Sequence, residues 1–298
     1  MPGSYRIAPQ YADKIPPIER PLLIVMMTGW IDASNAATTA METLISRTNA
    51  TTLYEFDPDQ FIDYRARRPT MELRNGVNTR IDWTTPKLML GRDRDLRDVL
   101  LLTGPEPDSR WQFFAAEVAN LARSLGVRRM LGLGAYPVAT PHTREVKISC
   151  TCSTTELAES LPYLKNSLDV PAGVESVLER AMALVEIDAI GLWAQVPHYV
   201  SSMSYPAASL ALLNAVSEVG NVELDAGDLR DMASVLRDRL DRLMKENPEH
   251  ETMLKQLEYA FDVANSPEET PLVDGPLPSG DQLAAELEQF LREHRSDS

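Results

Sequence analysis

Apolar and polar residues alternate along the first 220 positions with two different periods. Leu22 to Met27 is an unbroken apolar run, the mark of a strand buried on both faces. Ala36, Ala37, Ala40, Met41, Leu44 and Ile45 then recur at helical spacing. Thr51 to Phe56 predicts the next strand, and residues 61–90 carry short β-like pieces around RRPTM and an Asn75-Gly76 hairpin signal. Further strands are predicted at Val99 to Thr103, Met130 to Gly134, Val146 to Cys152 and Ala189 to Ala194. Helices are predicted at about Ser109 to Leu125, Gly173 to Val185 and Pro206 to Val219. This βαβα order predicts an α/β fold with a mainly parallel sheet sandwiched by helices. After Gly220 the strand pattern stops. Asp228 to Lys245, about Glu249 to Val263, and Asp281 to Glu293 read as amphipathic helices, the first with a stripe of Leu229, Met232, Leu236, Leu240 and Leu243. A Pro/Gly-rich acidic linker occupies residues 266–280. Two parts are therefore expected, an α/β domain over 1–220 and an acidic helical region over 221–298.

Charge sharpens that division. The net charge is −15, of which residues 221–298 carry −11. A polyanion would be repelled, which excludes nucleic acid as the expected partner. Apolar residues make up 44% of the chain, ample for a core, yet no stretch approaches the length of a membrane span. The opening MPGSYRIAPQ lacks the basic and apolar regions of a signal peptide, and the two cysteines, Cys150 and Cys152, suggest core thiols rather than a disulfide framework. A cytoplasmic protein is expected.

Loops leaving parallel strands emerge along one edge of a sheet, where ligands usually bind. The loops expected there are TGWID (28–32), TGPEPDSRW (103–111), GAYPVATPHTR (134–144) and AQVPHY (194–199). They gather Trp30, Asp32, Glu106, Asp108, Arg110, Trp111, His142, Arg144, His198 and Tyr199 into a candidate ligand or partner surface. Asp32 and Ser34 precede a helix, so capping competes with a functional role. Within a catalytic reading, Asp32 is the base or anchor, His142 the acid/base, Arg144 the anion holder, and Trp30 and Trp111 the apolar walls. Arg65, Arg67 and Arg68 of RARRPT are a second anion-holding candidate, or a solvated basic edge. Close-spaced metal-ligand motifs are absent, and so are dinucleotide fingerprints, phosphate loops and nucleophile elbows. GLGAYP (132–137) departs from the dinucleotide pattern. No metal and no cofactor are expected.

GWIDASNAAT, RARRPTM, GPEPDSRW, VATPHTR, VPHY…SYPAASLALL and DAGDL occur in that order over nearly the whole chain. In these blocks the sequence resembles the PAC2 family, named for proteasome assembly chaperone 2, and its bacterial branch in particular. The resemblance implies a three-layer α/β domain similar to nucleoside phosphorylases, without a settled catalytic activity. It also implies a protein-binding or assembly role, with proteasome subunits as partners, and assembly into homo-oligomers. Some relatives dock through a C-terminal hydrophobic-Tyr-x tail, whereas this chain ends REHRSDS. A small-molecule enzyme, a hydrolase or phosphorylase-like transferase acting along the loop edge, is the alternative.

Overall fold

The computed structural model describes residues 3–266. The expected linker at 266–280 and helix at 281–293 lie, but for Ser266, outside the described residues. The strands are β1 (Tyr5–Ile7), β2 (Leu22–Thr28), β3 (Thr51–Phe56), β4 (Thr70–Arg74), β5 (Val77–Asp82), β6 (Lys87–Arg92), β7 (Asp98–Pro105), β8 (Arg129–Val138), β9 (Ile148–Cys152) and β10 (Ala189–Pro197). The helices are α1 (Ala36–Arg47), α2 (Pro58–Phe61), α3 (Trp111–Ser124), α4 (Thr155–Glu159), α5 (Val174–Ala183), α6 (Pro206–Gly220), α7 (Leu229–Glu246) and α8 (Pro248–Ala264).

Eight strands form one mixed sheet in the order β1-β3-β6-β7-β2-β8-β10-β9. Its centre, β7-β2-β8-β10, is parallel. Antiparallel strands flank it, with β6, β3 and β1 on one side and β9 on the other. Five of the eight strands thus share a direction. β4 and β5 stand apart as a two-stranded ribbon.

The apolar run of β2 shows how the layers arise. Leu22, Ile24 and Met26 enter the core beneath α1 and α6, while Leu23, Val25 and Met27 enter the opposite core beneath α3 and α5. Side chains alternate across a strand, so an unbroken apolar run serves both faces. Each of these leucines is fully buried, a gain of about 2 kcal/mol apiece. Two cores back to back make the three-layer α/β architecture that the sequence predicts.

Residues to Glu258 form one compact unit and those from Tyr259 a second. The change of pattern at Gly220 is the end of α6. The following α7 buries Leu229, Leu240 and Met244 and packs on α6, within the same unit as the sheet. Its stripe is narrower than expected, since Met232 and Leu243 face outward. No helix among the described residues is long and apolar enough to cross a membrane.

Candidate functional site

The loop edge exists, and its loops are tied together by backbone. Glu106 donates its amide to Thr28 O, Asp32 bridges Ala135, and Ser34 donates its amide to Ser201 O at 2.8 Å and its hydroxyl to Val200 O at 2.9 Å. Gly29 makes the first turn possible. Its φ of +125° suits glycine alone, and a Cβ there would lie 3.1 Å from the Arg67 guanidinium. The ten candidate residues fall into three groups along this edge.

In the first group, Asp32 is a cap. Its Oδ1 accepts the Ala37 amide at 2.8 Å, and its Oδ2 accepts the Thr38 amide at 3.0 Å and the Thr38 hydroxyl at 2.7 Å. Both oxygens satisfy the free amides of the first turn of α1. Trp30 is 42% exposed and lies across Gly173, whose absent Cβ would meet the indole at 2.8 Å. Beneath Trp30 is a small cavity of about 10 Å³, walled by Glu106, Gly173, Glu175 and Trp193. That is room for about one water.

Two acids that line this cavity, Glu106 and Glu175, and Glu179 one turn further along α5 have unusual ionisation. Glu106 accepts the Val174 amide, yet burial still raises its carboxyl above the ordinary range. Glu175 accepts the Met27 amide at 3.3 Å; burial, reinforced by Glu179 and Glu106, holds it well above the ordinary range. Burial raises Glu179 to about 7, against the opposing hydrogen bond with Thr151 at 2.7 Å. Gly132 and Gly191 face each other across β8 and β10 and leave space for these acids. Gly134 likewise leaves space for the Trp193 ring. The two GLGAYP glycines therefore receive a carboxyl and an indole, Glu175 at Gly132 and Trp193 at Gly134. Glu175 and Glu179 are not among the residues the sequence singles out.

In the second group, Asp108 accepts the Asp63 amide at 2.8 Å and pairs with Arg67 at 3.4 Å. Arg67 also donates to Glu106 O. This holds Arg67 against the loop edge rather than leaving it as a free anion holder. Arg110 donates to Gln60 at 3.2 Å and covers the Phe113 ring at 4.3 Å. Trp111 donates its indole N–H to Pro107 O.

The third group is built on His142, whose side chain is fully buried. Tyr199 Oη accepts the His142 backbone amide at 2.7 Å and lies 2.7 Å from Nδ1. Asp241 Oδ1 lies 3.0 Å from Nε2, and a carboxylate only accepts, so Nε2 carries the ring proton and donates it there. Nδ1 of the neutral ring is then an acceptor, and the Tyr199 phenol donates to it. Burial lowers the His142 pKa, with Asp241 opposing, so the ring is neutral at neutral pH. Asp32 and His142 share no hydrogen bond, and each has its polar atoms on other partners. Arg144 pairs with Glu258 at 3.2 Å. His198 is exposed and meets Tyr199 edge-on, with ring centroids 5.3 Å apart. Beside this group an open groove of about 610 Å³ runs between α6, α7 and the loop after β8. Arg144, Arg237, Tyr163 and Tyr205 line it together with Glu145 and Glu218.

Cys150 and Cys152 are free thiols, and burial beside Cys150 pushes Cys152 up to about 12. Among the described residues no group of three His, Cys, Asp or Glu side chains converges to hold a metal.

Comparison with known proteins agrees with this architecture. Among the curated proteins none matches the chain. A solved PAC2 family protein from Streptomyces avermitilis is 33% identical, with a TM-score of 0.71, over 78% of this chain and 99% of its own. A proteasome-assembly chaperone homologue from Mycobacterium tuberculosis is 30% identical, with a TM-score of 0.71, over 79% and 99%. A second Mycobacterium tuberculosis protein, of unknown function, is 31% identical, with a TM-score of 0.75, over 89% and 92%. The PAC2 family profile itself matches residues 26–244, and the chain belongs to the PAC2 family.

Proposed function

We propose that this chain is a protein-binding assembly factor, acting in the cytoplasm as a homo-oligomer on proteasome subunits, and that it catalyses no reaction. One observation carries this reading. Asp32 and His142, the groups best suited to acid–base chemistry, are engaged by structural partners, one capping α1 and the other with its side chain buried. A general base must reach the proton it abstracts, and every polar atom of these two side chains already has a partner within the fold. The small cavity beside Trp30 has room for about one water, not for a substrate. What the edge does offer is surface: Trp30, His198 and the groove along α6 and α7, where tyrosines and arginines gather, residue types enriched at protein interfaces. The proteasome-assembly chaperone homologue among its relatives suggests the class of partner.

The test is co-elution. The purified full chain is mixed with proteasome α-subunits of the same organism and passed over a sizing column, with Trp30→Ala and Arg237→Glu variants alongside. A shifted complex that either variant weakens supports the reading. Absence of any complex, together with unchanged kinetics of proteasome assembly, overturns it.

A further inference from the structure

One face of α6 is left open. Ala207, Leu210, Ala211, Asn214, Ala215 and Glu218 recur three or four residues apart and line the groove of about 610 Å³ beside His142. Every residue lining that groove belongs to the compact unit that ends at Glu258. Arg237 of α7 lies in one wall, and Val146 and Ile148 lie in the other. From Ala207 to Glu218 the floor runs about 17 Å, at 1.5 Å per helical residue. That is the length of about five extended residues.

The end at the start of α6 is built for an anion. Tyr205 is only 4% exposed, yet no described residue hydrogen-bonds to its hydroxyl. Among the described residues, every side-chain polar atom shut off from the exterior has a partner. This hydroxyl therefore reaches open space, and the groove is the space that Tyr205 lines. Burial pushes the phenol up to about 12, so at neutral pH it keeps its proton and is a donor. The Arg237 guanidinium opposes that rise, which places its charge beside the phenol. Arg237 spends one N–H on Thr143 O at 3.0 Å and has others to give. No side chain caps α6, and Ala207, whose amide is a free donor of the first turn, lines the groove at the same end. His142 is here too, but both its ring nitrogens are engaged. At the far end Glu218 accepts the Tyr163 hydroxyl at 3.0 Å and pairs with no cation among the described residues.

We propose that this groove seats the C-terminal segment of a partner polypeptide, its terminal carboxylate held by the Tyr205 hydroxyl, Arg237 and the first-turn amides of α6. The proposal rests on the protein-binding reading above and gives the partner's segment its chemistry. Three features select this occupant. Neutral and cationic donors gather at one end, and hydrogen bonds from them to a carboxylate are of the strong, charge-assisted kind. The walls meet at that end, because Arg237 donates to Thr143 O and Asp241 accepts from His142 at 3.0 Å, tying α7 to the loop after β8. A chain whose carboxylate lies there must stop there, as a C-terminus does and an internal Asp or Glu does not. The floor beyond is mostly apolar and about five residues long, and Glu218 at its other end complements a Lys, an Arg or an amino group. A small anion would use only the first of these features.

The probe is a pool of random pentapeptides with free C-termini, passed over the immobilised full chain beside the same pool amidated at the C-terminus. The free-ended pool should leave peptides bound, enriched in Lys or Arg at the first position, and the amidated pool none. The affinity of the tightest peptide should fall about tenfold in Tyr205→Phe and about tenfold in Arg237→Gln, as for the loss of one hydrogen bond to a charged group. Tyr205→Phe should melt no lower than wild type, since its hydroxyl has no partner to lose; a lower melt means a partner within the fold and overturns the site. Equal retention of the amidated pool, or no retained peptide at all, also overturns it. Succinate displacing the peptide at equal concentration makes this a site for small carboxylates, and the peptide REHRSDS doing so makes the chain's own end the occupant. Either result overturns a partner's C-terminus. Co-elution with α-subunits is scored separately. An α-subunit complex without peptide retention keeps the protein-binding reading and refutes this one; peptide retention without an α-subunit complex keeps the groove and refutes the proteasome partner.

Discussion

Tyr199→Phe isolates two hydrogen bonds with almost no change of shape. The phenol accepts the His142 amide and donates to Nδ1, both at 2.7 Å. Phenylalanine keeps the ring, which meets the His142 ring edge-on at 5.8 Å, and removes only the oxygen. Two groups on a buried residue then lose their partner. A buried polar group left unpaired costs about 1–3 kcal/mol. At about 1.5 kcal/mol each, the variant should lose about 3 kcal/mol. For a folded unit of this size roughly 2–4 °C accompany each kcal/mol, so calorimetry should record a fall of roughly 6–12 °C. Asp241→Asn is the control. Asparagine still accepts from Nε2–H, and its own site is partly exposed. The loss there should stay under about 1 kcal/mol. A Tyr199→Phe melt within about 1 °C of wild type would refute the burial argument, because water would have to be serving Nδ1. The same result would reopen His142 as an accessible acid/base.

Three further outcomes are expected. Asp32→Asn should cost about 1 kcal/mol in chemical denaturation, because both carboxylate oxygens accept amides and one of them becomes an NH2 group; a loss of a few tenths would mean the cap uses one oxygen only. Glu179 titrates near 7 in the fold against an ordinary 4.5. Its ionisation thus removes stability as pH rises from about 4.5 through 7, and Glu179→Gln should melt higher than wild type at pH 8, by up to about 3 kcal/mol, with the gain vanishing at pH 4; an equal gain at both pH values would refute the burial cause. His142 has the opposite sign. Its folded pKa lies below the unfolded value, so the unfolded chain binds the extra proton and stability falls as pH drops below about 6.5, a slope that His142→Gln should flatten in melts from pH 5 to 7.

The layers were legible in the sequence because their causes are local. An unbroken apolar run cannot be a half-exposed strand, and Asn75-Gly76 between polar-alternating pieces has few uses other than a hairpin turn. The direction of the flanking strands was not legible. β6 and β9 have ordinary strand composition, and what makes them antiparallel is the route of their connections. A short link, Arg92 to Asp98, joins β6 to β7, and a long loop with no helix of its own joins β8 to β9. Only a crossover long enough to span the sheet returns a strand in parallel. The hydrophobic stripe of α7 was legible in kind and overstated in width. Sequence spacing counts a residue as inward when it lies within the apolar sector, whereas Met232 and Leu243 sit at that sector's margin and face outward.

The candidate surface was legible as a place and not as a mechanism, and the residues show why. TGWID, VPHY and PHTR come together because strand ends share an edge. Whether an acid or imidazole there is free depends on partners far along the chain. His142 is silenced by Tyr199 and by Asp241, 99 residues away. No local motif announces that. Glu175 and Glu179 escaped notice for a different reason. They lie four apart on α5, beside the buried stripe of Val174, Leu178 and Met182, where a glutamate reads as solvated margin. Their signal is in the strands. Gly132 and Gly191 pair across β8 and β10, and two facing glycines inside a buried parallel sheet pack nothing themselves. They make a hollow, and something must fill it. In a helix packed over such a hollow, a polar side chain at the sector margin is a candidate for burial, and its carboxyl will be shifted upward if no cation follows it in. A reader who asks what fills a glycine pair would look to ESVLER before looking to the loops.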